Sequence, residues 1–233
     1  IDTTCKCSKI TLNHTDTSYQ SLIQLANSIF DVFIIAKNPT MQPLLLFQRI
    51  ADSPLLLRLN FAAVFASFAV NLFIVSPLTN TEDGWKVPDE RITGYTSDEL
   101  NQWYDMIGPE GRQIYIRAAT WDFCPIMPSY ILLLGAVLVK LSRPASLPEN
   151  ISYLPILTGI SDVIETYYQR LGCVIYPEQL SDRDIFLAST ACQMKWILLF
   201  GTITLIIVLF IKERLFTRDS NDTTSITRST KIE

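Results

Sequence analysis

Asp162 and Glu165 stand three residues apart in the run ISDVIETYY, near the middle of a hydrophobic segment, and Lys195 lies inside the next such segment. A separation of three puts both acids on one face of a helix. Suppose the two segments cross a bilayer in opposite directions, with centres near Val163 and Leu199. At about 1.5 Å of rise per residue, Glu165 then lies roughly 3 Å and Lys195 roughly 6 Å from mid-depth, on the same side. One buried cluster of Asp162, Glu165 and Lys195 is expected. An ionisable side chain at that depth costs at least about 2.5 kcal/mol, so such groups usually have a purpose. Two chemistries are open. The cluster is a polar pocket that binds a head group, relays a proton or holds an ion. Alternatively it is an interhelical ion pair that fixes register, with Asp162 satisfied by hydroxyls such as those of Ser161, Thr158 or Tyr167.

A second group of residues could form the mouth of such a pocket or hold a lipid head group. Arg112 and Arg117 flank Tyr115, and Asp122 precedes Phe123-Cys124-Pro125. The arginines could bind phosphate, or mark the membrane interface together with Trp103 and Trp121. Asp122 could cap a helix or join Arg117 and the buried acids. The only histidine is His14, which argues against a histidine-based metal site and against Ser-His or Cys-His nucleophile pairs. Cys5 and Cys7 are too close for an unstrained disulfide and lack the other half of a zinc site. Cys124, Cys173 and Cys192 fall in or beside apolar segments, where a thiol acts as a small apolar side chain. No metal and no cofactor is expected.

The elements that must position these residues follow from hydropathy. Charged residues make up 18% of the 233, below the roughly 25% usual in a soluble domain, and the mean hydropathy is +0.24. Four segments carry the excess: residues 55–75, 121–141, 153–175 and 187–211, each about long enough to cross the hydrocarbon. In the first, Ala62, Ala63, Ala66, Ser67 and Ala69 would admit a close neighbour. Residues 17–36 place Leu22, Ile23, Ile29, Phe30 and Phe33 on one helical face, and the segment is too polar at its start to span. Thr96-Ser97-Asp98-Glu99 has capping-box form and opens a short amphipathic helix that Gly108-Pro109 ends, starting the next. The expected fold is all-α: a four-helix transmembrane bundle over residues 53–213, with amphipathic N-terminal (1–52) and interfacial helices and a polar tail (214–233). The chain opens on Ile1 with no charged-then-apolar secretory segment, as expected of a chain whose leader has been removed or of part of a longer one.

Charge sets the orientation. Residues 79–120 hold eight acids against four bases, while Lys140, Arg143, Lys212 and Arg214 flank the other ends of the spans. Both termini are expected on the cytoplasmic side, or the matrix or stromal side of an organelle. The formal net charge of −4 leaves no basic face for nucleic acid.

The runs GPEGRQIYIRAATWDFCPIMPSY and PILTGISDVIE, followed by a Lys-Trp opening the last span, resemble a group of small four-helix membrane proteins of unknown function. Their pattern is Gly-x-x-Gly-Arg-x-x-Tyr, an Asp before a Pro-containing helix, and Asp-x-x-Glu in the next. The resemblance covers residues 108 to about 212 and implies the bundle without naming an activity. Three functions are open. The first expectation is an accessory or structural subunit of a larger membrane complex, in contact with the bilayer, other subunits and possible bound lipid. The others are a lipid- or sterol-handling protein using Asp162 and Glu165 as acid and base, and a component of a proton or ion pathway. Cysteine-accessibility labelling should find the C-terminal tail and residues 79–120 on opposite sides of the membrane; finding them on one side would end the four-span arrangement.

Overall fold

The computed structural model describes residues 43–79 and 87–229, with side chains to residue 214 apart from that of Glu149. The amphipathic segment expected at residues 17–36 lies outside the described residues. Helix α1 (Pro43–Asp52) is followed by α2 (Pro54–Thr79), a 3-10 turn (Pro88–Glu90), α3 (Ser97–Trp121) and a π turn (Asp122–Ile126). Next come α4 (Met127–Ser142), a second 3-10 turn (Glu149–Tyr153), α5 (Leu154–Ile175) and α6 (Asp182–Ser229). Among the described residues there is no strand.

Local chemistry starts α2 and α3. Ser53 Oγ accepts from the Leu56 N–H at 3.3 Å, and Pro54 opens α2 with its φ already suited to a helix. At α3 the capping box is complete: Glu99 N–H donates to Thr96 Oγ1 at 3.3 Å, and Thr96 N–H donates to Glu99 Oε2 at 2.7 Å. Gly108, at φ 62°, breaks the helical run, and Pro109 restarts it. No break follows at Asp122. Pro125 removes one donor from the ladder, and the backbone absorbs the loss in a π turn while the helix continues into α4. From Pro109 the helix therefore runs on past residue 121 to Ser142, and Asp122 lies within it instead of capping one.

Among the described residues, three helices are long and apolar enough to cross a membrane: Pro54–Leu78, Ser97–Ser142 and Asp182–Arg214. Helix α5 is not one of them, because Asp162, Glu165, Gln169 and Arg170 lower its hydropathy. It packs against α3, α4 and most extensively α6, and turns its polar residues inward. The buried seam of α6 runs Ile185, Ala188, Cys192, Lys195, Thr202 and Leu209, with half-buried Leu199 and Ile206 completing steps of three and four. That is the period of a left-handed helix pair.

An aromatic core closes the end of the bundle near residues 87–104. Trp103 is fully buried between Tyr104 and Tyr115, whose ring centroids lie 5.6 and 4.9 Å away. This places Trp103 in the core and not at an interface. Trp121 instead donates through Nε1 to the Ser67 carbonyl at 3.0 Å, fastening α3 to α2. At the opposite end, the Arg143–Asp52 ion pair and the Phe47 ring on Gly135 hold α1 to α4. Tyr104 crosses α5 at Gly172, where a Cβ would fall 2.5 Å from its hydroxyl and 2.7 Å from its ring. Gly172→Ala should therefore cost about 1–3 kcal/mol through overpacking. Gly201→Ala, with open space around it, should leave the thermal midpoint in detergent unchanged or slightly higher; equal midpoints for the two variants would contradict this packing.

Candidate functional site: a buried acid–lysine cluster

The α6 seam carries Lys195 into the bundle, where its side chain is only 8% exposed. Two acids meet it from α5: Glu165 Oε2 lies 2.7 Å and Asp162 Oδ1 3.2 Å from Nζ. They share a face of α5 because three residues turn the helix by less than one full turn. A third acid arrives from outside the helices. Asp89, on the Pro88–Glu90 turn, accepts from Lys195 Nζ at 2.5 Å and keeps 39% of its side chain exposed. Within the described residues these three carboxylates lie close enough to hold a cation, with ligand atoms within 4.8 Å of one another. The lysine ammonium occupies the role such a cation would have.

Neighbouring polar groups orient the acids. Tyr130 of α4 donates to Asp162 Oδ2 at 2.9 Å, replacing the hydroxyls expected from α5 itself. Thr158 and Ser161 donate instead to the Leu154 and Leu157 carbonyls of their own helix, each at 3.1 Å. Gln169, one turn beyond Glu165, donates to Glu165 Oε1 at 2.8 Å and to the Tyr95 hydroxyl at 3.0 Å. Its side-chain oxygen accepts from Tyr115, and its main-chain carbonyl accepts from Tyr104 at 2.8 Å. Burial, and after it the nearby Glu165 carboxyl, holds the Tyr95 phenol well above its usual range, so Tyr95 remains a neutral hydroxyl.

The segment bearing Asp89 is seated on α6 by a row of side chains. Ser189 Oγ accepts from the Tyr95 N–H at 2.9 Å, Gln193 Nε2 donates to the Thr93 carbonyl at 2.6 Å, and Trp196 Nε1 donates to the Asp89 carbonyl at 3.2 Å. The Cys192 thiol faces the Arg91 carbonyl at 3.4 Å. Gly94, at φ 79°, makes the close approach possible, since a Cβ there would fall 2.4 Å from Ser189 Oγ. Sequence reasoning missed Asp89. The turn residues Pro88 and Gly94 marked a loop, but nothing local separates Asp89 from the acids around it.

The other candidate residues do not gather at one mouth. Tyr115 is buried on Gln169, and Asp122 accepts from Thr166 at 3.4 Å, close to the inner acids. Arg112 donates to the Tyr104 carbonyl at 2.7 Å and lies 3.9 Å over the Tyr176 ring. The hydrogen bond from Tyr176 to Asp105 raises the Tyr176 pKa. Arg117 is exposed and lines a surface hollow of about 410 Å³ with Pro109, Glu110, Gln113 and Ile114.

Comparison with protein-family models, with curated proteins and with solved structures finds no match.

Removing one partner of a buried ion pair typically costs about 3–5 kcal/mol. Lys195→Ala, which strands two buried acids, should lower stability by that order. Pairing Lys195→Met with Glu165→Leu is not enough for relief, because Asp162 stays uncompensated. The set Lys195→Met, Glu165→Gln and Asp162→Asn should recover most of the loss in thermal melts in detergent. A set no more stable than Lys195→Ala alone would show that the charges are not what binds these helices.

Proposed function

We propose that the chain is a four-span membrane protein whose buried cluster exchanges protons, as the proton-handling component of a larger membrane assembly. The observation that carries this reading is the charge inventory at Lys195, where three carboxylates share one ammonium. A staple that only fixes helix register needs one acid for one base. Two ionised carboxylates about 5 Å apart repel by roughly 3–4 kcal/mol at an effective dielectric of about 20. A cluster held away from water is relieved of that repulsion by a proton on one of its acids, and protons gained and released there are the chemistry it can perform.

Helix α5 serves as the fourth span. Its polar face is covered by α3, α4 and α6, while Leu157, Ile160, Ile164 and Val174 are exposed on its outer side. A helix shielded in this way spans even though its own sequence is only moderately apolar. The exposed apolar side chains of α2 and α6, among them Phe65, Phe73, Ile197 and Ile207, suit contact with lipid. Lys140, Arg143, Lys212 and Arg214 favour both termini on the cytoplasmic, matrix or stromal side.

A purely structural subunit is the second reading. It draws on the exposed row Ala62, Ala63, Ala66 and Ala69 of α2, which would let a partner helix approach closely. The two readings separate in an infrared titration of the purified chain. Proton exchange requires a protonated carboxyl band that disappears reversibly as pH rises and is absent from Asp162→Asn combined with Glu165→Gln. A wild-type chain without such a band between about pH 5 and 9, a window that spans the ordinary carboxyl range and the raised values documented for buried acids, leaves the structural reading standing.

A further inference from the structure

We propose that Asp89 is the port of the cluster, the residue through which protons pass between water on the loop side and the buried Asp162–Glu165 pair. The proposal rests on the proton-exchange reading above. Its first support is the gradient of exposure. Asp89 is 39% exposed, whereas Asp162 and Glu165 are 7% and 0% exposed. Of the three acids touching Lys195, Asp89 alone reaches substantially to the surface.

The second support is that the other sides of the cluster are closed by neutral donors already in use. From α4, Tyr130 donates to Asp162. Gln169 occupies the far oxygen of Glu165, and Tyr95 and Tyr115 back it. On α6, Cys192 stands beside Glu165, one turn from Lys195. Asp122, the remaining acid nearby, engages Thr166. Beyond this shell the bundle turns apolar, with Leu138, Leu141 and Leu209 packed together.

The third support is that Asp89 is fixed in place. Its own carbonyl is held by Trp196, the residue after Lys195, and its segment is clamped by Ser189 and Gln193 on the same helix. A surface acid that met the lysine by chance would not need a glycine at φ 79° and a row of α6 side chains to seat it.

The step balances. A proton from water binds an oxygen of Asp89. Lys195 Nζ, 2.5 Å from Asp89 Oδ1 and 2.7 Å from Glu165 Oε2, transfers one of its own protons to Glu165. As that N–H bond breaks and an O–H bond forms on Glu165, the Asp89 O–H breaks and restores the ammonium. Lysine starts and ends with three protons, and one proton has moved from Asp89 to Glu165. Glu165 Oε2 lacks an aligned hydrogen bond despite the short contact, so rotation about the Cε–Nζ bond precedes the transfer.

The test is proton uptake at the buried carboxyls of the full chain in nanodiscs, followed by time-resolved infrared after a pH jump. Positioned proton transfer by a side chain contributes about 100-fold or more. Asp89→Asn should slow uptake by about that factor, and Asp89→Glu should restore much of it. Glu90→Gln, the exposed neighbour, should behave as wild type. Gly94→Ala, which unseats the segment that holds Asp89 against Lys195, should likewise slow uptake, and this keeps the test decisive if Asp89→Asn folds poorly. Unchanged rates in both Asp89→Asn and Gly94→Ala overturn the port. A wild-type chain with no titrating buried carboxyl instead overturns the proton-exchange reading on which the port depends.

Discussion

The ammonium of Lys195 is the fixed point to which the described helices are fitted. A charge this deep is stable only with opposite charges against it. The chain supplies them from α5 and from the turn before α3, so the lysine dictates that both elements lie along α6. The seam of α6 is built for this. Ala188, Cys192 and Thr202 on either side of Lys195 are small, which leaves room for α5 to come close enough for its carboxylates to make contact. The same demand explains why α5 buries Asp162, Glu165 and Gln169 while Leu157, Ile160 and Ile164 face outward: its polarity is spent inward.

Satisfying the acids brings in the rest of the interior. Tyr130 ties α4 to α5 through Asp162, and Gln169 ties α5 to α3 through Tyr104 and Tyr115. Each of these side chains is long enough to reach across a helix interface and ends in a single polar group. A buried network of this kind has value only when complete, since an unmatched carboxylate or amide costs more in a low dielectric than the network returns. The aromatic core around Trp103 then serves two purposes: it buries a large apolar area, and it aims two hydroxyls at Gln169.

Much of this was legible in the sequence, and the reasons for success and failure are physical. Periodicity places Asp162 and Glu165 on one face, and equal depth places Lys195 beside them, because helix rise is nearly constant. Thr96 and Glu99 announce their helix because a capping box is a local motif. Asp89 was not legible, since a loop brings it to the cluster through contacts with residues about a hundred positions away. The Tyr130 contact was hidden for a similar reason: helix spacing names neighbours within α5 but not which side chain of α4 reaches across. Asp122 was expected to cap a helix and instead lies inside one that contains Pro125. A π turn lets the helix pass through it.

The choice of lysine over arginine follows from where the three acids stand. They converge on one Nζ from two elements, an α-helix and a turn, as three separate carboxylates. A guanidinium offers its donors in a rigid planar fork that suits one carboxylate held side-on. An ammonium is a compact charge with three donors that rotate together, and it can face Asp89, Asp162 and Glu165 at once. Rotation about the Cε–Nζ bond exchanges those donors among the acids without moving a helix. The residue that ties α5 and the Pro88–Glu90 turn to α6 is therefore also the one through which the proposed proton transfer would run.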